Sequence, residues 1–430
     1  MKQNTTKSAH FLGGLIIVIA ASTGLAGTCM YLSLAGDAVA APIILKAPLQ
    51  LSPVIAATIP KPSDIVIAGL EADTVLGGLS WKNTTSQPIQ IRKVYFSVAG
   101  GESYAADFER VGIRKQNGSV AYGYTDSSGN GSIDVYDSPI ILNANTTTQS
   151  DLVARFNATI PGSIAGGNWT SFSRSGHQPT IAITGFDRVA SNGVVTKQTV
   201  SGVKTSPMVL RKTRPIVKPV ALPSATLTNS DLDLIKFQVS AAPSAAIGWK
   251  QIMFKYTKSS GVQLSNFRLR RGATDVSISE YSIVDGQGMD LQTKTIPATI
   301  QNGYVIVSFP AGREEVISGS GQVYTLHATV SGASAGKTVT FSLYVAQPKV
   351  ITGYVSNRGY SSPLSAPSPK IYHIAQTETQ QGILAATGDF VWSDMSEVPH
   401  TDDGASTPSS KDWTNGTYVQ SLNQVSKLVF

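Results

Sequence analysis

The sequence predicts an all-β protein built of two tandem immunoglobulin-like antiparallel β-sandwiches, behind an N-terminal signal or anchor helix. Three observations carry this. The apolar residues lean to Val and Ile and recur in short alternating or β-branched runs. Clusters of Gly, Asn, Ser and Pro separate the runs, with 39 glycines and 22 prolines among 430 residues. No stretch after Pro42 sustains helical periodicity for more than about two turns.

At the N-terminus, Lys2 and Lys7 precede the apolar run FLGGLIIVIAASTGLAGTCMYLSLAG, Phe11 to Gly36. AVAAP, Ala38 to Pro42, then offers small residues to a signal peptidase after Ala40 or Ala41. The run approaches the roughly 20 apolar residues of a membrane span, so a cleaved leader and a retained anchor both fit. Either one exports the rest. LAGTC resembles a lipoprotein box, but Thr28 stands where a small residue is needed, so lipidation is not expected. Residues 1–41 are thus a signal peptide or anchor, with membrane contact only through residues 11–36 if it stays uncleaved.

A Pro-rich linker is expected over residues 42–62, a first sandwich over 63–212, a second linker over 213–229, a second sandwich over 230–377 and an aromatic, acidic tail over 378–430. The tandem division rests on self-similarity. ATIPGSIAGGNWTSFSRSGHQPTIAITG (Ala158 to Gly185) lines up with ATVSGASAGKTVTFSLYVAQPKVITG (Ala328 to Gly353), IRKVYFSV (Ile91 to Val98) with WKQIMFKY (Trp249 to Tyr256), SDIVIA (Ser63 to Ala68) with SDLDLI (Ser230 to Ile235), and SPMVLRK (Ser206 to Lys212) with SPKIYHI (Ser368 to Ile374). The strand signals within the copies include IQIRKVYFSVAG and DLVARFNATI in the first, GYVIVSF and QVYTLHATV in the second. Proline keeps the intervening linkers extended, as in a stalk.

Composition removes several classes. The single cysteine, Cys29, lies in the apolar leader, so no disulfide framework and no thiolate metal cluster is expected beyond it. The formal charge of +7 is spread thinly, and the densest basic stretch, RKTRPIVKP (Arg211 to Pro219), reads as linker. Nucleic acid is not an expected partner, because phosphate neutralisation needs a clustered basic face.

The matched halves, followed by DFVWSDMS and DWTNGTYV in the tail, resemble large surface proteins of bacteria known largely from environmental genomes. In those proteins a W-S-D strand and a D-W-T-N-G segment follow immunoglobulin-like modules. The resemblance covers roughly Ser63 to Leu422. It implies secretion, repeated β-domains and an S-layer-like or adhesive role, and it implies no reaction.

The stretch DSSGNGSIDVYD, Asp126 to Asp137, supports two readings. Asp126, Ser128, Asn130, Asp134 and Asp137 present side-chain oxygens and Ser132 a carbonyl, in the spacing of an EF-hand calcium loop with Gly131 at the turn. The same residues also read as a hairpin, with Asn-Gly at its turn and Pro139 opening a strand where an EF-hand continues as helix. Calcium is the one cofactor these residues suggest. In the tail, Asp394, Glu397, Asp402, Asp403 and Asp412 with His400 read as a solvated loop, because Gly, Ser and Pro dominate between them. Trp81, Trp169, Trp249, Trp392 and Trp413 read first as core.

No catalytic motif surrounds the scattered His177, His327, His373 or His400. The expectation is a non-enzymatic surface protein, structural or adhesive, whose partners are envelope proteins, glycans or further copies of itself. A carbohydrate-binding module is the alternative, which exposed coplanar tryptophans would favour. A hydrolase assembled across strands is the third, which a pocket joining a histidine, a carboxylate and a serine would favour.

Overall fold

The computed structural model describes residues 55–60, 65–67, 73–99, 107–157, 162–163, 177, 179–206, 209–241, 245–343, 351–356, 371–375, 386–387, 390–402, 409–415 and 425–430. The expected leader and Trp169 lie outside these residues. Among the described residues there is no α-helix, and no helix long and apolar enough to cross a membrane.

Each sandwich pairs a five-stranded sheet with a second one. In the first sandwich one sheet runs in the order Ile55–Pro60, Thr74–Lys82, Thr147–Phe156, Phe108–Arg114, Val120–Gly123. The facing sheet runs Val195–Thr199, Thr180–Ala190, Ile89–Ala99, Asn130–Asp134, with Ile140–Leu142 also on Ile89–Ala99. Neighbours are antiparallel throughout. The sequence alternation does this work: Ile89, Ile91, Val94 and Phe96 are buried while the residues between them are less so. Trp81 of one sheet meets Phe186 of the other edge-on, with ring centroids 5.5 Å apart.

The second sandwich repeats the first sheet order with Pro215–Val220, Asp231–Ala241, Gln322–Ser331, Gln263–Arg271 and Thr274–Asp275. Its facing sheet is organised on Ile247–Lys258, which pairs with Asn302–Ser308, Glu315–Ile317, Thr338–Leu343 and Phe390–Ser393. IRKVYFSV and WKQIMFKY thus lie on corresponding central strands. SDIVIA and SDLDLI do not correspond: Ile65–Ile67 pairs in parallel with Val209–Arg211, whereas Asp231–Ala241 holds the place of Thr74–Lys82. The shared letters of that pair are local likeness only.

The Ile247–Lys258 strand is buried at almost every position rather than at every second one. Both its faces are covered, which favours a continuous apolar run over alternation. Trp249, Ile252 and Phe254 face the sandwich core, and Met253 packs outward with Val284, Ile306 and Ile371. A bulge between Trp249 and Gln251 makes Lys250 the extra residue.

Three segments differ from the sequence reading. Parts of both expected linkers, Ile55–Pro60 and Pro215–Val220, are edge strands of the sandwiches. Proline suits both roles, since an edge strand can lack outward amides. The tail is built into the second sandwich: Phe390–Ser393 lies on the Trp249 strand, Trp413–Asn415 on Phe390–Ser393, and Val425–Val429 on Thr338–Leu343.

Trp392 is fully buried in the second core. Trp392→Ala is expected to cost about 3–5 kcal/mol in chemical denaturation, and Tyr136→Ala, at a side chain 60% exposed, within about 0.5 kcal/mol.

Candidate functional site

The Asp126 loop is a hairpin turn. The Oδ1 of Asp126 accepts the amides of Ser128 and Asn130, both at 2.9 Å, and Gly129 carries φ +78°. Its carboxylate is thereby engaged in an Asx-type turn. Asn130–Asp134 then pairs with Ser97 back to Lys93. A strand rises about 3.3 Å per residue, so Asn130 and Asp134 stand about 13 Å apart, far beyond one calcium coordination sphere of about 2.5 Å radius. Asp134 Oδ1 accepts the Tyr136 amide at 2.8 Å, and Asp137 is exposed in the next turn. Gly131 is required by close approach: a Cβ there would lie 2.4 Å from the Phe96 ring and 2.5 Å from the Tyr124 carbonyl oxygen. The six candidate ligands Asp126, Ser128, Asn130, Ser132, Asp134 and Asp137 therefore do not converge in this structure. Among the described residues no three His, Cys, Asp or Glu are grouped to hold a metal.

The tail acids are the opposite case. Asp394, Glu397 and Asp412 are buried rather than solvated, and Asp402 nearly so; Asp403 lies outside the described residues. The strand pair Phe390–Ser393 and Trp413–Asn415 places them. Its register sets Trp392 opposite Thr414 and Ser393 opposite Trp413, so the two tryptophans face opposite sides. Trp392 enters the sandwich core, and Trp413 packs with Val355, Tyr372, Ile374 and Val391 in a further layer.

Around this pair the ionic contacts close. Arg211, from the end of the first sandwich, is wholly buried; its Nη2 donates to the Trp413 carbonyl at 3.1 Å and its Nη1 lies 3.7 Å from Asp394 Oδ1. The Lys212 amide donates to Asp394 Oδ2 at 2.7 Å. Asp412 accepts from Ser393 Oγ at 2.9 Å and Ser410 Oγ at 2.5 Å, and its Oδ2 stands 2.9 Å from His400 Nδ1. His400 Nε2 is 3.5 Å from Glu314 Oε1, and the His400 ring leans on Trp413 at 5.0 Å. Glu397 accepts the Lys411 amide.

The protonation states follow from these contacts. Burial alone would lower the His400 pKa, but Asp412 and Glu314 outweigh it and raise it to about 10. For Asp412, burial is overcome by His400, Ser410 and Ser393, and the carboxyl is held below its ordinary range. Burial, reinforced by Asp412 and opposed by the Lys411 amide, pushes Glu397 up to about 7. Burial lowers Arg211, and Asp394, Asp412 and Glu397 offset it.

Ser410, His400 and Asp412 do meet, which is the set that a hydrolase would use. The arrangement is wrong for it. Ser410 Oγ and Asp412 both approach Nδ1, at 3.2 and 2.9 Å, whereas a triad needs the serine on the other ring nitrogen. That nitrogen faces Glu314, and an imidazole charged up to about pH 10 takes no proton at neutral pH. Ser410 is itself buried.

The other described histidines are structural too. His177 Nδ1 lies 3.0 Å from Asp107 and His327 Nδ1 3.0 Å from Asp233, while burial lowers His373 to about 4. Sequence reasoning missed Arg211, which it read only as the first residue of a basic, Pro-rich, linker-like stretch at the end of the first sandwich; its one signal was a position directly after the apolar pair Val209 and Leu210.

No family model matches the chain, and no curated protein matches it. Solved structures similar to it include the B domain of a biofilm-associated protein, at 8% identity over 67% of this chain and 80% of that one, with a TM-score of 0.20. A serine-rich repeat adhesion glycoprotein of Streptococcus agalactiae matches at 9% identity over 67% and 90%, with a TM-score of 0.18. The full-length major pilin of Streptococcus pneumoniae matches at 9% over 81% and 58%, with a TM-score of 0.19. At such scores the likeness carries no functional argument.

Two outcomes are expected. A histidine whose pKa is raised on folding contributes stability that is complete below its ordinary 6.5 and lost as the pH climbs through about 10. His400→Gln is therefore expected to lower the melting temperature at pH 6, with the gap to wild type narrowing toward pH 10. Calcium or a chelator is expected to leave the melting temperature unchanged, because a ligand stabilises only the fold that binds it.

Proposed function

We propose that this chain is a non-enzymatic, exported protein of the cell surface, structural or adhesive in role, of the S-layer-like or adhesin-like kind that the tail motif suggests. The observation that carries the reading is the buried ionic cluster. It ties Arg211 at the end of the first sandwich, Glu314 just before the strand Glu315–Ile317 of the second and the tail strands into one packed junction. The described residues of the two motifs, Trp392 to Asp394 and Asp412 to Asn415, are structural parts of that junction, with Ser393 bonded to Asp412 and Trp392 opposite Thr414. A rigid element that presents loops and sheet edges suits envelope proteins, glycans or further copies as partners. The carbohydrate-binding alternative is the weaker reading among the described residues, where Trp81, Trp249, Trp392 and Trp413 are all fully buried.

Protease applied to intact cells is expected to remove the protein while a cytosolic marker stays whole. Survival of the full-length chain under that treatment counts against the surface reading.

A further inference from the structure

One ion pair beside the junction has a geometry suited to chemistry. Lys250 is the extra residue of the bulge on the central strand, and a bulge re-aims a side chain. Its side chain is wholly buried under the tail, with Nζ 4.8 Å from the Tyr372 ring centroid. Nζ donates to the Pro310 carbonyl at 2.6 Å and touches Oδ2 of Asp402, a carboxylate only 7% exposed. The same Oδ2 accepts the Gly312 amide at 2.5 Å. Gly312 has φ +67°, a left-handed conformation that a glycine adopts without strain. One turn therefore supplies an acceptor that aims the amine and a donor aimed at the carboxyl oxygen.

We propose that Lys250 and Asp402 condense into an intramolecular amide, a covalent side-chain link between the central strand and the tail. A bond forms between Nζ and Cγ of Asp402, and one Cγ–O bond breaks. A proton first passes from Nζ to the carboxylate it touches, leaving a neutral amine as the nucleophile. Of the three ammonium protons, one stays on the amide nitrogen and two leave with the departing oxygen as water. The charges cancel, and no oxidant, reductant or cofactor is needed. The Gly312 amide stabilises the negative charge on the oxygen that remains while the carbon is tetrahedral. Holding both groups in contact replaces a bimolecular encounter, and a dry site withholds the water that would reverse the step.

The link would close a loop spanning 152 positions of sequence. It would do so in a chain whose single cysteine, Cys29, leaves no disulfide to serve that purpose.

The test is peptide mapping by mass spectrometry of the full-length wild-type protein. The expected result is one branched peptide joining Lys250 to Asp402, lighter than its two parts by one water. Recovery of Lys250 and Asp402 only in separate linear peptides overturns the proposal. Lys250→Arg keeps the positive charge but cannot form the link, and Asp402→Ala removes the acceptor. Both are expected to lose the branched peptide and to run differently from wild type in a denaturing gel, a readout that does not require either variant to fold. Persistence of the branched peptide in either variant places the bond elsewhere and also overturns the proposal.

Discussion

Burial of the Arg211 guanidinium is the constraint around which the junction is arranged. A charge taken out of water is tolerated only when it is paired and hydrogen-bonded. Asp394, the Trp413 carbonyl and the more distant charges of Asp412 and Glu397 meet that demand. The tail must therefore cross the second sandwich where it does, and the strands carrying Trp392 and Trp413 must pair in the register observed. Moving either strand by one residue would turn its own tryptophan to the other side, taking Trp392 out of the sandwich core or Trp413 out of the outer layer.

Much of the fold was legible because a strand covered on one face advertises itself by alternation. Ile89–Ala99 did so, and its counterpart Ile247–Lys258 was legible from its β-branched and aromatic content even though both faces are covered. The Pro-rich stretches were read as spacers because an edge strand and an extended linker share one composition. Only the pairing of Ile216 to Ser240 and its neighbours separates the two.

The site was far less legible. The tail acids sit among Ser, Gly and Pro, which signal a loop, and the contacts that bury them come from afar: Lys212 is 182 positions from Asp394, and Arg211 is 202 from Trp413. No local pattern records such a pairing. The Asp126 stretch differs in the other direction. Its spacing matched a helix-flanked loop, but the chain between Asn130 and Asp134 is extended, and extension separates what a tight loop would gather.

The prolines of the outermost strand of the second sandwich have a consequence for how molecules could join. Pro215 and Pro219 are four residues apart, so both fall at the same phase of Pro215–Val220, the phase whose amides point away from the sheet. Of the outward positions 215, 217 and 219, Val217 alone retains a donor. A strand arriving from a neighbouring molecule finds one hydrogen-bond donor in place of three, so this side is chemically blunt. The rim formed by Val195–Thr199, mostly exposed and free of proline, keeps its full complement. These two edges are thus unequal as templates for an added strand.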